Sequence, residues 1–332
     1  MPNDLIAPDR LNLLLASARG KRVAVVGDAM LDVYLRGDVD RVSPEAPVPV
    51  VRVRDRRLAL GGAANVAQNV AALGAIPTLV ATTGRDKAAA DLRSALTSIG
   101  APVSGLVAID GPTTTKTRVV ARAQQLLRFD EETDADLDGD DAARLRASAN
   151  AAIAAADALI LEDYEKGVLT VPLIFAVIAA AKARNLPIVV DPKTRHYAAF
   201  AGATVFKPNR RELQLSRGTE HDFSSDAALL AEAAHLNVGA LLLTLGEQGM
   251  ALAERGADHV YRVPTTALEV YDVVGAGDTV TAYVAVMLAA GASAVEAATI
   301  ANYAAGVEVG KSGAASVSPE ELLAAVARHS AR

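Results

Sequence analysis

Residues 272–279 read Asp272-Val-Val-Gly275-Ala276-Gly277-Asp278-Thr279 and run straight into the apolar stretch VTAYVAVMLAA, residues 280–290. Two glycines before a helix-length run let the backbone turn tightly into a helix. The first free N–H groups of such a helix converge on one spot beside the positive end of its dipole and form an anion hole. A carboxylate there would repel a bound phosphate. It makes sense as a base that takes the proton from a hydroxyl attacking the phosphorus held by those N–H groups. The structural alternative is an ordinary N-cap by Asp278 or Thr279. On this stretch alone the two readings stand level.

Upstream, short apolar runs alternate with longer Ala-rich stretches. The runs are Val23–Val26, Thr78–Ala81, Ala158–Leu161, Pro187–Val190, Thr204–Phe206 and Ala240–Leu245. Their length and their Val, Ile and Leu content predict strands buried on both faces of a parallel sheet. Helix-length segments lie at 63–73, 86–99, 138–155, 170–185, 225–236, 277–290 and 293–309, and an amphipathic helix opens the chain around Leu11–Ala18. The alternation predicts an α/β fold with an open, mostly parallel sheet and helices on both faces. Two stretches break it. Residues 33–57 carry prolines and many charges, and residues 113–130 alternate at period two. Both predict antiparallel β structure outside the main sheet, a small β-sheet lid over the carboxyl edge where open α/β folds bind ligands. The acidic connector 131–141 reads as a solvated loop and helix start. The whole of 1–332 reads as one domain with that lid inserted.

Composition narrows the chemistry. With 33 basic and 39 acidic residues the net charge is −6, so the broad basic surface that nucleic acid needs is not expected. There is no cysteine, which removes disulfides, thiolate metal sites and a Cys nucleophile. No apolar stretch reaches the roughly 18 residues of a membrane span; no membrane association is expected, and the cytoplasm is the expected address. Gly306-Val-Glu-Val-Gly310-Lys311-Ser312 is one residue short of a P-loop and follows a helical pattern where a strand is required. GAGDTV has Val280 where a dinucleotide fingerprint needs Gly or Ala.

Other segments carry candidate residues. Gly61-Gly62-Ala-Ala-Asn65 opens a helix and could approach a polyhydroxyl ligand, or simply pack tightly. Asp28 follows the strand VAVVG and could accept two sugar hydroxyls, or make a turn. Asn209 and Glu212 fit a capping box and equally a position near a nucleotide's hydrated Mg²⁺. Lys193 follows a strand and could sit over transferring phosphates. Lys116, Arg118, Arg122 and Gln124 share one parity and so one face of the lid. Cations on such a face suit a phosphate-bearing substrate, or serve as solvated edge charges.

Taken together, the GGAANVA and VVGAGDT segments, in this order and far apart, resemble the ribokinase or PfkB family of carbohydrate kinases. Further stretches, VSPEAPVPV (42–50), AQQLLRFD (123–130), EDYEKG (162–167), VDPK (190–193) and EVYDVVGAGDT (269–279), resemble the heptose 7-phosphate kinase branch of that family. The resemblance implies a ribokinase-like fold and Asp278 as catalytic base, with the Gly275, Ala276 and Gly277 backbone as anion hole. It implies sugar contacts at Asp28, Gly62 and Asn65, and ATP contacts at Asn209, Glu212, Thr244, Gly246, Gly249 and Asn302. Glu212 would meet Mg²⁺ through water, and Asp272 would join backbone carbonyls near 307–313 around a monovalent cation such as K⁺. The reaction implied is phosphorylation of the anomeric hydroxyl of heptose 7-phosphate by ATP, toward the lipopolysaccharide core. Lys116, Arg118, Arg122, Gln124, Lys166 and Lys193 are the candidates around the 7-phosphate. A homodimer through the lid is also implied, as is a kinase without the adenylyltransferase domain often fused to it. The alternative is another sugar or sugar-phosphate kinase of the family, such as a fructokinase or phosphofructokinase. The sequence departs from the pattern at Val274, where many relatives have Thr, and at Glu162, where Ser is usual.

Overall fold

The computed structural model describes residues 6–122, 124–218, 222–267 and 269–330. In chain order it runs α1 (Pro8–Ala18), β1 (Arg22–Gly27), β2 (Ala29–Val42), β3 (Pro49–Gly62), α2 (Ala63–Ala72), β4 (Ile76–Thr83), α3 (Lys87–Ser98) and β5 (Leu106–Ala108). It continues with β6 (Thr115–Ala121), β7 (Gln124–Glu131), α4 (Gly139–Ala155), β8 (Ala158–Glu162), α5 (Val171–Ala183), β9 (Ile188–Asp191), β10 (Val205–Phe206) and α6 (Arg210–Arg217). The last part holds α7 (Asp226–His235), β11 (Ala240–Thr244), β12 (Met250–Glu254), β13 (Tyr261–Val263), α8 (Ala276–Ala289), α9 (Ala294–Glu308) and α10 (Pro319–Ser330).

The large sheet has the order β13-β12-β11-β10-β9-β8-β1-β4-β5. Its strands from β11 to β5 are parallel, and β12 and β13 extend it antiparallel. Each run expected as a strand is one. The alternation within β1 shows why both faces must be covered: Val23 and Val25 join one apolar cluster with α1, α2, α8 and α9, while Ala24 and Val26 join a second with α4, α5 and α7. A strand buried on both faces has no polar positions, which is what the sequence displays.

The small sheet has the order β3-β2-β6-β7. Its first hairpin is longer than the expected 33–57, while β6 and β7 together fill nearly the expected 113–130. β2 starts at Ala29, directly after Asp28, and β3 ends at Gly62. The roots of these strands (Leu31, Val33, Leu60) are buried in the main core, so no change of polarity marks the boundary. Its central pair, β2 and β6, is parallel, not antiparallel as expected, because β4 and β5 of the large sheet intervene in the chain. Ala123, the first residue of the AQQLLRFD stretch, lies outside the described residues. Among the described residues no helix is long and apolar enough to cross a membrane.

The carboxyl ends of the central strands form the floor of the site. Gly27, Glu162 and Asp191 stand in one row across β1, β8 and β9. Gly27 has to lack a side chain, since a Cβ there would lie 2.0 Å from the Glu162 carbonyl oxygen.

Candidate active site

α8 begins where the sequence places it. Gly275 is its N-cap at φ +97°, a conformation open to glycine, and a Cβ there would press on Ala314, Asn65 and Glu308, each at 3.1 Å. Of its first-turn N–H groups, that of Ala276 donates to the Val273 carbonyl at 3.4 Å, while those of Gly277 and Asp278 have no intrahelical partner by construction. Asp278 is 5% exposed. Its Oδ2 accepts from Asn65 Nδ2 at 2.7 Å and its Oδ1 from the Tyr164 hydroxyl at 2.9 Å. It does not cap its own helix; both oxygens face across to α2 and to the loop after β8. Burial and the nearby Asp191 push its pKa up to about 6, against the pull of Asn65, Tyr164 and Lys207. A carboxylate with that value can take or release a proton near neutral pH.

The partners of Asp278 are themselves fixed. Asn65 lies on α2 and is fully buried; its backbone carbonyl accepts from Asn69 Nδ2 at 3.1 Å, and Thr279 donates to Asn69 Oδ1 at 3.3 Å. Tyr164 is held by Asp28. The Asp28 carboxylate accepts the backbone N–H groups of Tyr164 (2.7 Å), Lys166 (3.1 Å) and Val168 (3.2 Å) and is 2% exposed. This corrects the expectation that Asp28 meets sugar hydroxyls: the group is enclosed and serves as a clamp for the loop 164–168. Gly62, expected on the sugar side, is the N-cap of α2 at φ +54°, its Cβ position only 2.4 Å from the Asp28 carbonyl.

Asp32, four residues along β2, is the carboxylate that the sequence reading passed over. It is 5% exposed, and its Oδ2 lies 2.9 Å from the Cβ position of Gly61. Arg118 pairs with its Oδ1 at 2.5 Å and stacks over the Tyr34 ring at 5.3 Å. The pairing follows from register, Asp32 beside Lys116 and Tyr34 beside Arg118. Period-two parity in 29–36 carries that signal. Lys116 pairs with Asp130 (3.3 Å) and Glu132 (3.1 Å), and Lys166 with Glu132 (2.7 Å). Glu132 therefore joins the small sheet to the Asp28-clamped loop, and the connector 131–141 is not merely solvated. Arg122 and Gln124 stand apart from this group. Arg122 occupies the β6–β7 turn at φ +57°, exposed, and Gln124 is exposed beside it. A strand rise of roughly 3.3 Å per residue sets Arg122 about 13 Å beyond Arg118. Only Lys116 and Arg118 keep the expected shared face: Arg122 lies in the turn, and Gln124 pairs with Ala121, which has the opposite parity.

On the other side of α8 a cavity of about 900 Å³ opens, lined by Asn209, Thr244, Gly246, Gly249, Ala276, Gly277 and Asn302 among others. Asn209 and Glu212 form the capping box of α6, with N–H to oxygen distances of 2.9 and 2.8 Å. The remaining Glu212 oxygen takes Lys193 at 2.5 Å, and Lys193 also lies 4.8 Å from the centre of the Tyr164 ring. Asp191 and Glu212 hold the Lys193 pKa well up, against burial. Asn302 donates to the Pro264 carbonyl at 2.8 Å. Asp272 accepts from Val274 N–H and Gly313 N–H, each at 3.0 Å, and the Val309 carbonyl accepts from Tyr271 and Asp272. The loop before α8 is thus tied to the turn after α9. The 306–312 segment continues α9 and has no strand before it.

A model of the pfkB family carbohydrate kinases matches residues 21–321. The chain belongs to the pfkB family of carbohydrate kinases. It is 47% identical over 308 residues to the D-beta-D-heptose 7-phosphate kinase of Bordetella bronchiseptica, covering 91% of this chain and 95% of that protein. It is 46% identical over 322 residues to the bifunctional protein HldE of Azorhizobium caulinodans, covering 96% of this chain and 67% of that protein. The chain spans about two thirds of the length of the bifunctional relatives it matches. Among solved structures, Arabidopsis thaliana ribokinase complexed with ribose and ATP superposes with a TM-score of 0.72 at 21% identity, covering 92% of this chain and 99% of that one. Phosphofructokinase-2 from Escherichia coli gives 0.75 at 19%, covering 94% and 99%. These two likenesses establish the ribokinase-like fold. Ala276 and Gly277, directly before Asp278, line the 900 Å³ cavity, while the Asp278 carboxylate is bonded to Asn65 and Tyr164. Tyr164, Asp32 and Lys207 are the members of this site that the sequence reading did not pick out. Tyr164 stands inside the EDYEKG stretch, and Lys207, which pairs with Asp191 at 2.8 Å, directly precedes Pro208-Asn209.

Proposed function

We propose that this kinase transfers the γ-phosphoryl group of ATP to the anomeric hydroxyl of D-glycero-β-D-manno-heptose 7-phosphate, giving the 1,7-bisphosphate, a step toward the lipopolysaccharide core. The observation that carries the reaction type is the Asp278 carboxylate, buried, raised to about 6 and set at the N-terminus of α8. The substrate rests on the 47% identity to a heptose 7-phosphate kinase across 95% of that protein.

In this reading Asp278 takes the hydroxyl proton as the oxygen attacks phosphorus. The Gly277 and Asp278 N–H groups face the charge that develops on the phosphoryl oxygens. Asn65 and Tyr164 hold the carboxylate in one orientation, and Asp32 faces the sugar. Arg118, Lys116 and Lys166 are the cations nearest this cleft, and the 7-phosphate would compete with Asp32 and Glu132 for them. The cavity on the far side of α8 takes ATP. Its walls include Thr244, Gly246, Gly249 and Asn302, and Lys193 reaches over from the end of β9. The buried Glu212 carboxylate is a hard oxygen donor suited to Mg²⁺. Both its oxygens already have partners, so the contact would pass through water. Mg²⁺ bound with ATP would neutralise phosphate charge. Asp272 and the carbonyls of the 309–313 turn offer the oxygen donors a monovalent ion such as K⁺ requires.

The small sheet acts as a lid that excludes water. Its outer strands β3 and β7 are both free edges, and β7 is exposed along its whole length with Leu127 and Phe129 outward. Long exposed edges favour pairing, which supports a homodimer through the lid. ATP and sugar phosphates as substrates put the enzyme in the cytoplasm.

The deciding experiment follows ADP release with heptose 7-phosphate, fructose and fructose 6-phosphate, and resolves the anomer of the product by phosphorus NMR. The expected result is turnover of the heptose 7-phosphate far above the others, with phosphate on the anomeric oxygen. Preference for fructose 6-phosphate would overturn the assignment and favour a phosphofructokinase.

A further inference from the structure

Three carboxylates converge beneath the base. Glu162 ends β8, Asp191 ends β9, and the two are paired in register. One oxygen from each, with one from Asp278, all lie within 4.8 Å of one another. Asp191 is partnered by Lys207 Nζ at 2.8 Å and by the Thr281 hydroxyl at 3.2 Å, and Asp278 by Asn65 and Tyr164. Glu162 differs. It is 0% exposed, it faces this cluster, and among the described residues neither of its carboxylate oxygens has a hydrogen-bond partner. A buried carboxylate with no partner is costly; burial beside Asp191 and Asp278 pushes the Glu162 pKa well up, so it holds a proton that a bound cation would displace.

The charges point the same way. With all three carboxylates ionised, as a bound cation would require, they carry −3 and Lys207 returns +1, while Lys193 is engaged by Glu212. The residual −2 matches one divalent cation. A Mg²⁺-sized or Mn²⁺-sized ion with oxygen ligands at about 2.1 Å holds pairs of ligands at separations up to roughly 4.2 Å, so small side-chain shifts bring the three oxygens into its shell.

We propose that Glu162, Asp191 and Asp278 form a site for one divalent cation of the Mg²⁺ or Mn²⁺ class, filled in the absence of nucleotide and separate from the ion that accompanies ATP beside Glu212. The ion engages a lone pair of Asp278 that the substrate proton would use. Its occupancy therefore opposes turnover, and free divalent cation beyond that complexed by ATP inhibits. The inhibition rests on the proposed function; the binding does not.

The probe is Mn²⁺ alone, titrated into the full chain without sugar or nucleotide and read by electron paramagnetic resonance. Wild type binds one ion per chain, and Glu162→Gln weakens that binding at least tenfold. Asp278→Asn weakens it comparably and carries the test should the first variant not fold. In turnover assays, inhibition by excess Mn²⁺ relative to each enzyme's own uninhibited rate falls in Glu162→Gln. No nucleotide-free binding by wild type, or undiminished binding by folded Glu162→Gln or by Asp278→Asn, overturns the site whichever sugar proves to be the substrate.

Discussion

The Tyr164 hydroxyl donates to Oδ1 of Asp278 at 2.9 Å, from a loop whose backbone is gripped by Asp28 at the end of β1. The base is therefore oriented by a side chain over a hundred residues away in the chain. Tyr164→Phe removes that donor and leaves the ring packed beside Lys193. A hydrogen bond to a charged group is worth about 1.5–3 kcal/mol, so kcat/KM should fall roughly 10- to 100-fold. The variant should also move the acid limb of the profile. If Asp278 is the base proposed above, it must be ionised to act, and wild-type activity should be lost as pH falls through about 6. Tyr164 favours the ionised form, and without it that limb shifts to higher pH. An unshifted limb in kcat/KM against pH would show that the phenol does not act on the base.

Asp28 distinguishes a clamp from a sugar ligand. If its three N–H bonds position the loop 164–168, Asp28→Asn should lower kcat more than it raises KM, because Tyr164 and Lys166 both lose their support. It should also lower the melting temperature, since a buried amide cannot accept all three donors without burying its own. A change confined to KM, with melting unaltered, would restore the sugar-binding role expected from sequence.

Arg118 tests the phosphate end of the substrate. It stands between Asp32 and the Tyr34 ring with a side chain only 16% exposed. Arg118→Ala should raise KM for the 7-phosphate sugar at least tenfold, while KM for a sugar without the phosphate changes much less. Arg122→Ala, at the exposed hairpin tip, should leave KM for both within twofold in a monomeric assay. Steady-state kinetics with the paired substrates decides both.

The sheet, its helices and the Gly275–Asp278 turn were legible because they rest on local pattern: apolar runs of strand length, helix spacing and glycines before a helix. The site was legible in proportion to how local its parts are. Asn209 and Glu212 form a capping box within four residues, and the line of Lys116 and Arg118 follows from strand parity. What escaped depends on register between distant strands. Nothing near Asp32 in the chain announces Arg118, 86 residues away. Asp28 looks like any strand-terminal Asp until the loop 164–168 folds over it. Glu162 could be marked as unusual, yet its meaning required β9 and α8 to arrive beside it.

Glu308 gives a stability signature that needs no substrate. It lies at the end of α9, 0% exposed, with an oxygen 3.1 Å from the Cβ position of Gly275. Burial, with Asp278 and Asp272 nearby, lifts its pKa to about 8, the Ala315 N–H pulling the other way. The folded state thus binds this proton more tightly than the unfolded chain, where a glutamate titrates near 4.5. Its contribution is fully present below that lower value and is lost as pH rises through about 8. The displacement sets an upper bound of about 5 kcal/mol. Glu308→Gln keeps the shape and never ionises. Its melting temperature relative to wild type should climb between pH 4.5 and 8 and level off above, by a few degrees in all. Thermal denaturation of both proteins across that range measures it. A difference constant with pH would mean that Glu308 titrates alike in the folded and unfolded chain.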